Sequence, residues 1–433
     1  MDIEKAFHPF DIRGDYPLEV DEKMAYNVGR FVESYLPPGA VLVAADNRDS
    51  SPSITNALVN GLTANNREVV FIGNLPTPIF YFAVSFLKAT GGVMVTASHV
   101  NAKQNGFKFV KVDSEPWDEG EILTLKDYLK SHENDSHPEN ISKVSVKDAL
   151  ANRNKVVAEY ISQLVGKFSN LKVEGLILFD TGETVAAPIL EEILSRLSLN
   201  FKLFKTPRDL NPLIPEGNSN LRAQVKAQNA ALGVIYDGDA DRVIFIDKEG
   251  NLIPQSYILG LIGKRFTKAA FDIRAGLAAY TTDHVVTPSW AQNLKFAMKE
   301  DPKIGFAGET SGHLIFKEWY GIDDGIFGGF KFLELVKNFD EELSQLKSSY
   351  IDIPEINYNL PGDYALALDK IADYYRSKDY LVSVVDGVTL VSSDFHFNLR
   401  PSLTEPFLRL NLEVKRPEQA EEIKQELQKL IYE

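Results

Sequence analysis

Apolar residues in the first half of the chain alternate between short continuous runs and runs spaced for one face of a helix. The run Val41–Ala45 is followed by Ile54, Leu58 and Leu62 at four-residue intervals, and a second apolar run covers residues 68–72. A short apolar run predicts a buried strand, and the four-residue interval predicts a helix. Strands that alternate with helices in this way predict a mainly parallel sheet with helices on both faces.

The alternation begins again twice. The second set of predicted elements comprises helix 146–168, strand 175–179, helix 188–197 and strand 232–235, and the third comprises helix 257–266, strand 276–281, helix 288–299 and strand 304–306. The C-terminal part has short strand candidates with flanking helices. The sequence therefore predicts three α/β domains, 1–145, 146–249 and 250–345, followed by a smaller α+β domain, 346–433.

Composition narrows the classes of function. The formal net charge of −15 disfavours nucleic acid and membrane surfaces as general partners, although a local basic cluster could still bind an anionic small molecule. The chain has no cysteine, which excludes disulfides, zinc–thiolate sites and cysteine nucleophiles. No basic and apolar leader and no run of 18 apolar residues occurs, so a soluble, cytoplasmic protein is expected.

Two polar loops each follow a predicted strand. In Thr96-Ala-Ser-His99, a hydroxyl stands beside an imidazole and precedes Lys108, so Ser98 is a candidate covalent acceptor, with an ordinary polar turn as the alternative. Asp237, Asp239 and Asp241 alternate, which places three carboxylates on one side of an extended segment. Their repulsion favours a bound hard cation, Mg²⁺ before Ca²⁺, over a solvated acidic turn.

Two further loops carry groups suited to a sugar phosphate. Gly308-Glu-Thr-Ser-Gly-His313 offers Glu309, Ser311 and His313 as donors and acceptors for sugar hydroxyls. The segment Arg400-Pro-Ser-Leu-Thr-Glu-Pro406, with Arg409 beyond it, offers guanidinium and hydroxyl groups that suit a phosphate. Either segment alone is equally compatible with a polar turn. The four loops together indicate a phosphosugar enzyme.

These motifs, with Asp11-Ile-Arg-Gly14 and Asn105-Gly-Phe-Lys108, occur in an order that resembles the α-D-phosphohexomutase family, the phosphomannomutase and phosphoglucomutase group. The resemblance spans nearly the whole chain. It implies four domains around a central cleft, the first three sharing a mixed α/β core. It also implies interconversion of hexose 1-phosphate and hexose 6-phosphate through a phosphoserine and a bisphosphorylated sugar.

The resemblance also implies roles for individual residues. Ser98 would hold the transferable phosphoryl group, and one Mg²⁺ per chain would bind a phosphoserine oxygen and the three aspartates. Arg13, Lys108 and Arg242 would be active-site cations, with Lys108 and His99 as candidates for general acid/base work. Glu309, Ser311 and His313 would bind the sugar. The phosphate-binding loop would comprise Arg400, Ser402, Thr404 and Arg409.

Hexose phosphates are the expected partners, with a hexose 1,6-bisphosphate as activator and intermediate, and the chain is expected to be a monomer or a homodimer. Four residues at three sites depart from the family's usual residues. Val100-Asn101 replaces Asn-Pro and is expected to loosen the serine loop, while Phe10 and Leu403 replace a Tyr and an Asn or Gly. Phosphoglucosamine mutase is the alternative activity, and a catalytically weak sugar-phosphate sensor is the alternative of another class.

Overall fold

The computed structural model describes residues 4–133, 146–207, 209–359, 364–402 and 407–432. The chain folds as two compact units, which we call the first unit (residues 1–252 and 319–334) and the second unit (residues 253–318 and 335–433). No helix among the described residues is both long and apolar enough to cross a membrane.

The strands are β1 (Asp11–Asp15), β2 (Val41–Ala45), β3 (Val69–Asn74), β4 (Gly91–Val95), β5 (Gln104–Lys111), β6 (Ile177–Asp180), β7 (Phe201–Phe204), β8 (Leu232–Tyr236), β9 (Val243–Ile246), β10 (Lys268–Asp272), β11 (His284–Thr287), β12 (Ile304–Gly308), β13 (Leu314–Phe316), β14 (Ile351–Asn359), β15 (Val382–Ser383), β16 (Val388–Val391), β17 (Phe395–Pro401) and β18 (Phe407–Val414). The helices are α1 (Glu22–Tyr35), α2 (Ser51–Thr63), α3 (Thr77–Phe86), α4 (Glu119–Ser131), α5 (Val146–Phe168), α6 (Ala187–Arg196), α7 (Pro215–Ala227), α8 (Gln255–Gly263), α9 (Ala291–Glu300), α10 (Gly325–Leu335), α11 (Phe339–Ser349), α12 (Tyr364–Ser377) and α13 (Pro417–Tyr432).

The first three sheets repeat one arrangement. Their strand orders are β1-β5-β4-β2-β3, β7-β6-β8-β9 and β11-β10-β12-β13. In each sheet a central strand pairs in parallel with two neighbours, and one of these neighbours pairs antiparallel with the next strand of the chain. The fourth sheet, β14-β18-β17-β16-β15, is antiparallel throughout. The predicted α/β fold class with a C-terminal α+β module is confirmed.

Local sequence explains several element boundaries. Asp21 begins α1 by accepting a hydrogen bond from the Met24 amide, and Asp118 and Glu121 form a reciprocal capping box at the start of α4. Strand β2 is buried at every position, in agreement with its unbroken apolar run.

The strand predicted at residues 276–281 is wrong. These residues form successive turns, in which the amides of Ala279 and Tyr280 donate to the carbonyls of Gly276 and Leu277. The sheet instead uses β10 and β11, which flank the segment. Alanines fit a pleated strand poorly, and Ala278 is buried with its carbonyl oxygen 2.1 Å from the position a Cβ would take on Gly260 of α8. Close packing on that helix determines the conformation of this apolar run.

The three functional loops of the α/β sheets occupy equivalent places. The Ser98 loop joins β4 to β5, the aspartate loop joins β8 to β9, and the Glu309 loop joins β12 to β13. Each loop leaves the carboxyl end of a parallel strand and returns as its antiparallel neighbour. Carboxyl ends of parallel strands are where α/β folds place ligand-binding groups.

Candidate functional site

Ser98 lies in the first unit, three residues beyond the end of β4. Its residue is only 1% exposed, and its backbone has a φ of 56°, in the left-handed region. Ser98 Oγ lies 3.5 Å from Asp237 Oδ2 and 3.3 Å from His99 Nδ1. A left-handed conformation is uncommon for a residue other than glycine and persists only where surrounding contacts impose it. The fold thus presents this hydroxyl to a carboxylate and an imidazole.

The three aspartates lie together beside that hydroxyl. Asp237, Asp239 and Asp241 are each at most 1% exposed, and one carboxylate oxygen from each lies within 4.8 Å of the others. Ala240, between two of them, has a φ of 59° and closes a tight turn by donating its amide to the Asp237 carbonyl. The three carboxylates do converge as predicted, but a turn brings them together and not the extended segment that was expected.

Cationic side chains surround these carboxylates. Lys108, on β5, donates from Nζ to Asp239 Oδ2 at 2.7 Å and also to Asp241 Oδ2. Arg242 Nε lies 3.7 Å from Asp237 Oδ2. Arg13 is paired with Asp11, and the charges of Asp239 and Asp241 also stabilise its guanidinium group. Burial alone would lower the pKa of Lys108, but Asp239 and Asp241 outweigh it and raise that pKa well above its ordinary value.

The aspartate cluster has the properties of a divalent cation site. Burial, followed by the charges of Asp241 and Asp239, raises the pKa of Asp237 well above its ordinary value, because three buried carboxylates repel one another. Asp239 Oδ1 is buried and accepts no hydrogen bond from any described residue, while Asp239 Oδ2 accepts from Thr77 Oγ1 at 2.6 Å. Closely spaced carboxylate oxygens, one of them without a donor, suit Mg²⁺.

A buried carboxylate outside the predicted motifs supports this loop. Asp324 accepts hydrogen bonds from Tyr160 Oη at 2.8 Å, Trp319 Nε1 at 2.7 Å and the Phe327 amide at 2.9 Å. Burial is the main cause that raises the pKa of Asp324 to about 6. The following residue, Gly325, begins α10 and donates its amide to the Ala240 carbonyl. Helix α10 is thereby joined to the turn of the aspartate loop.

A second cluster lies in the second unit, on the Glu309 loop. Glu309, Ser311 and His313 are buried, and Glu309 Oε2 lies 2.7 Å from Ser311 Oγ and 2.8 Å from His313 Nδ1. Glu309 Oε1 accepts hydrogen bonds from Arg274 Nη2 at 2.6 Å and from the Trp290 amide at 2.9 Å. Trp290 has a φ of 89°, an outlier for a bulky side chain. The surrounding bonds therefore fix Glu309 in one orientation.

Three guanidinium groups lie near one another in the second unit. Arg400 and Arg409 are directly opposite across β17 and β18, an arrangement that is unfavourable for like charges. Burial, followed by the charge of Arg274, lowers the pKa of Arg400, and Arg409 contributes in the same direction. Arg400 Nε is buried and has no hydrogen-bond acceptor among the described residues. A bound anion such as phosphate would relieve this repulsion and supply the acceptor.

The structure therefore assembles the predicted residues into two clusters. Ser98, His99, Lys108, Arg242 and the aspartates adjoin one another in the first unit, with Arg13 nearby. The predicted sugar and phosphate residues Glu309, Ser311, His313, Arg400 and Arg409 lie in the second unit. Ser402 donates its amide to the Phe407 carbonyl, whereas Thr404 and Leu403 fall outside the described residues.

Sequence reasoning missed Thr77, Arg274 and Arg48. A signal for the two arginines was available, because Asp46-Asn-Arg48 and Asp272-Ile-Arg274 share one spacing at the ends of β2 and β10, the central strands of their sheets. Thr77 has no comparable signal, because its partner Asp239 comes from a different sheet.

Comparison with known proteins agrees with this architecture. Three family models match the chain, described as phosphoglucomutase/phosphomannomutase alpha/beta/alpha domains I, II and III, over residues 4–135, 158–250 and 273–352. Among solved structures, a phosphoglucomutase/phosphomannomutase family protein from Burkholderia thailandensis is similar with a TM-score of 0.80 at 23% identity, covering 99% of this chain and 97% of that one. A putative phosphomannomutase from Thermus thermophilus gives a TM-score of 0.77 at 20% identity, covering 99% of both chains.

Curated relatives match over almost the full length. A phosphomannomutase from Salmonella typhimurium is 30% identical, with 94% of each chain covered, and a probable phosphoglucosamine mutase from Thermococcus gammatolerans is 29% identical, with 99% of this chain and 98% of that one covered. Fold, motif order and these matches together place the chain in the phosphoglucomutase/phosphomannomutase family. Members of this family are phosphohexomutases, which are isomerases.

Proposed function

We propose that this protein interconverts hexose 1-phosphates and hexose 6-phosphates, with mannose and glucose phosphates as its substrates. Ser98 would carry the transferable phosphoryl group. The observation that carries the proposal is the contact of a buried serine hydroxyl with a buried aspartate cluster, with Ser98 Oγ 3.5 Å from Asp237 Oδ2 and Lys108 bonded to the other two carboxylates. Phosphoryl transfer depends chiefly on in-line positioning and charge neutralisation, and the charged groups around Ser98 are suited to the second of these.

Asp237, Asp239 and Asp241 would hold one Mg²⁺ per chain. When bound, the ion supplies positive charge to the phosphoryl oxygens. Around it, Lys108 and Arg242 add charge from the protein, and Arg13 lies near the same carboxylates. His99 Nδ1, 3.3 Å from Ser98 Oγ, is the candidate group to accept the proton from the attacking sugar hydroxyl. Lys108, which Asp239 and Asp241 hold in its charged form, is a candidate general acid only.

The second-unit residues would recognise the substrate. Glu309, Ser311 and His313 offer acceptors and donors for sugar hydroxyls, and Arg400, Ser402, Thr404 and Arg409 would bind the phosphate that is not being transferred. A hexose 1,6-bisphosphate would be the intermediate and the activator. The reaction then requires the sugar to turn over before its second phosphate can meet Ser98.

Turnover assays with mannose 1-phosphate, glucose 1-phosphate and glucosamine 1-phosphate test the proposal. We expect the first two sugars to react, and intact-mass measurement to show one phosphate on the isolated protein that is absent from Ser98→Ala. A preference for glucosamine 1-phosphate would instead favour phosphoglucosamine mutase, the activity named for the Thermococcus gammatolerans relative. Equal background turnover by both proteins would favour the sugar-phosphate sensor.

The domain boundaries 1–145, 146–249, 250–345 and 346–433, the cytoplasmic location and the choice between monomer and homodimer remain predictions. Limited proteolysis with mass mapping would test the boundaries, since cleavage should fall within a few residues of them. Light scattering would test the oligomeric state.

A further inference from the structure

Arg48 uses every hydrogen-bond donor that an arginine possesses. Its Nη1 donates to the carbonyls of Asn101 at 2.6 Å and Gln104 at 3.0 Å, and its Nη2 donates to those of Ser98 at 2.7 Å and Val100 at 3.0 Å. The fifth donor, Nε, bonds to Asp46 Oδ2 at 2.9 Å. A single buried side chain therefore holds three backbone carbonyls of the loop that carries Ser98 and the carbonyl of Gln104, the first residue of β5.

The Ser98 loop has local hydrogen bonds of its own, such as those from the Ser98 amide to Thr96 Oγ1 and from the Val100 amide to the Ala97 carbonyl, but it has no residue that restricts its backbone. Residues 96–103 include neither proline nor glycine, although Ser98 adopts a φ of 56°. A left-handed conformation costs a residue of this kind of order 1–3 kcal/mol and persists only where surrounding contacts compensate for that cost. The loosening expected from Val100-Asn101 is opposed here, because the carbonyls of these two residues are among the four that Arg48 binds.

Asp46 holds both sides of the serine. Asp46 Oδ2 accepts hydrogen bonds from Arg48 Nε and from Thr96 Oγ1 at 2.8 Å, and Thr96 Oγ1 accepts from the Ser98 amide at 2.9 Å. The Ser98 carbonyl is bound by Arg48. The Asp46 carboxylate, at the end of β2, is thus connected to the Ser98 amide through Thr96 and to the Ser98 carbonyl through Arg48.

The third sheet contains the same arrangement of an aspartate that binds an arginine and a threonine. Asp272, at the end of β10, accepts from Arg274 Nε at 2.6 Å and from Thr310 Oγ1 at 3.0 Å, as Asp46 accepts from Arg48 and Thr96. The same Asp-x-Arg spacing with a threonine on the neighbouring loop therefore appears at equivalent places in two sheets. This repetition marks the pair as a loop support within the fold.

We propose that Arg48 is a positioning residue for phosphoryl transfer. It fixes the loop backbone so that Ser98 Oγ stays in line with the acceptor hydroxyl. The inference rests on the proposed function, in which Ser98 carries the phosphoryl group. Arg48 does not touch the reacting atoms in this role. Its loss should lower the rate of the chemical step and leave substrate affinity nearly unchanged, since a displacement of about 1 Å can cost about 100-fold in rate.

The test compares Arg48→Lys with Arg67→Lys. Lysine keeps the positive charge beside Asp46, but its single ammonium cannot reach four separate carbonyls. Arg67 is the matched control, because it also binds backbone carbonyls in the first sheet's domain, those of Leu36 and Pro37, and has no hydrogen bond to the Ser98 loop. All three proteins are first brought to equal phosphate content, as verified by intact mass. Their kcat, KM and amide hydrogen exchange over residues 98–104 are then measured.

We expect kcat of Arg48→Lys to fall about 100-fold with KM within about twofold of the wild type, and amides 98–104 to exchange about tenfold faster or more. Arg67→Lys should match the wild type in kcat and in exchange of that segment. Unchanged kcat, an equal fall in Arg67→Lys, or a loss expressed mainly in KM would overturn the proposal. If Arg48→Lys does not fold, Arg48→Gln is measured in the same way, and failure of both variants to fold would show a role in stability only and also overturn it.

Failure of the proposed function gives a different result. A wild-type protein that accepts no phosphate at Ser98 would refute the mutase reaction whatever the Arg48 variants do. Hydrogen exchange would then still report whether Arg48 orders residues 98–104, because that measurement needs no turnover.

Discussion

The Ser98 loop and the Glu309 loop occupy the same place in two sheets of the same topology and are supported by the same Asp-x-Arg pair, yet the two arginines act differently. Arg48 gives four donors to backbone carbonyls and so fixes the course of the loop. Arg274 gives its Nη2 to the Glu309 carboxylate and so fixes a side chain. A shared support can therefore hold a loop backbone in one domain and a single carboxylate in another.

The aspartate loop completes this comparison because it has no such arginine. In the second sheet, Asp180 ends the equivalent strand β6, but Gly182 stands two residues later and donates its amide to Asp180 Oδ1. The aspartates instead interact with side chains from the first sheet's domain, Lys108 and Thr77. The aspartate loop carries its own negative charges, so it is held by a cation and a hydrogen-bond donor from another domain, Lys108 and Thr77.

Removal of the Ser98 hydroxyl should have the largest effect. Ser98→Ala should lose at least about 1,000-fold in turnover and all protein-bound phosphate, because the proposed reaction passes the phosphoryl group through this hydroxyl. Activity assays and intact mass measure both losses. Ser114→Ala is a matched control, since Ser114 is also buried and left-handed in the same domain, with a φ of 60°. Retained phosphate in Ser98→Ala would identify a different acceptor.

Loss of one carboxylate from the aspartate loop should come next. Asp239→Asn should weaken Mg²⁺ binding by about 100-fold or more, measured by calorimetric titration, because a ligand matters at least as much as the groups that orient ligands. Turnover should fall in parallel at fixed Mg²⁺. Asp247→Asn, at the buried end of β9, is the control, and its affinity should match that of the wild type. Equal affinities in all three proteins would remove the metal assignment.

Arg274→Lys should sharpen the contrast with Arg48. Lysine cannot bond to Asp272 and Glu309 with the same fork, so Glu309 should lose its fixed orientation and KM should rise about tenfold while kcat changes less. Steady-state kinetics with the preferred hexose phosphate measure the two constants. Arg265→Lys, which alters an exposed pair with Glu342 in the same unit, should leave both unchanged. A fall confined to kcat would mean that the two arginines have the same role.

Acid should destabilise the support of the third-sheet loop, with no effect on turnover at neutral pH. His396 Nε2 donates to the Ile273 carbonyl at 3.1 Å, between Asp272 and Arg274, and burial lowers the pKa of His396 to about 4. The unfolded chain therefore takes up this proton first, and acidification from pH 6.5 to 4 should cost about 3 kcal/mol of folding free energy.

Urea unfolding at pH 4.5 and pH 7 measures this loss. His396→Gln can still donate to the Ile273 carbonyl but does not titrate, so it should lose less stability on acidification than the wild type. The carboxyl groups common to both proteins cancel in the comparison. Equal losses in the two proteins would exclude His396 as the acid-sensitive group.

The local sequence pattern predicted the helices and strands whose conformation depends on residues close to one another in the sequence. The helix at 146–168 and the strand at 41–45 have the predicted bounds, because the first has a helical period and the second is buried at every position within its sheet. The strand at 276–281 was wrong, because its apolar residues are buried by packing on α8. Strand order, which needs contacts between distant segments, could not be read from local pattern.

For the site, the sequence by itself determined which chemical groups are available and that three aspartates share one short loop, although a turn around Ala240, and not an extended segment, makes their carboxylates converge. It also placed each loop at a strand end, where such groups meet a ligand. Only the tertiary structure decided that Lys108 and Thr77 bond to Asp239, that Arg48 binds the carbonyls around Ser98, and that Arg274 holds Glu309. These partners are separated by tens of residues, and the pairing of sheet strands, which no local pattern specifies, brings them together.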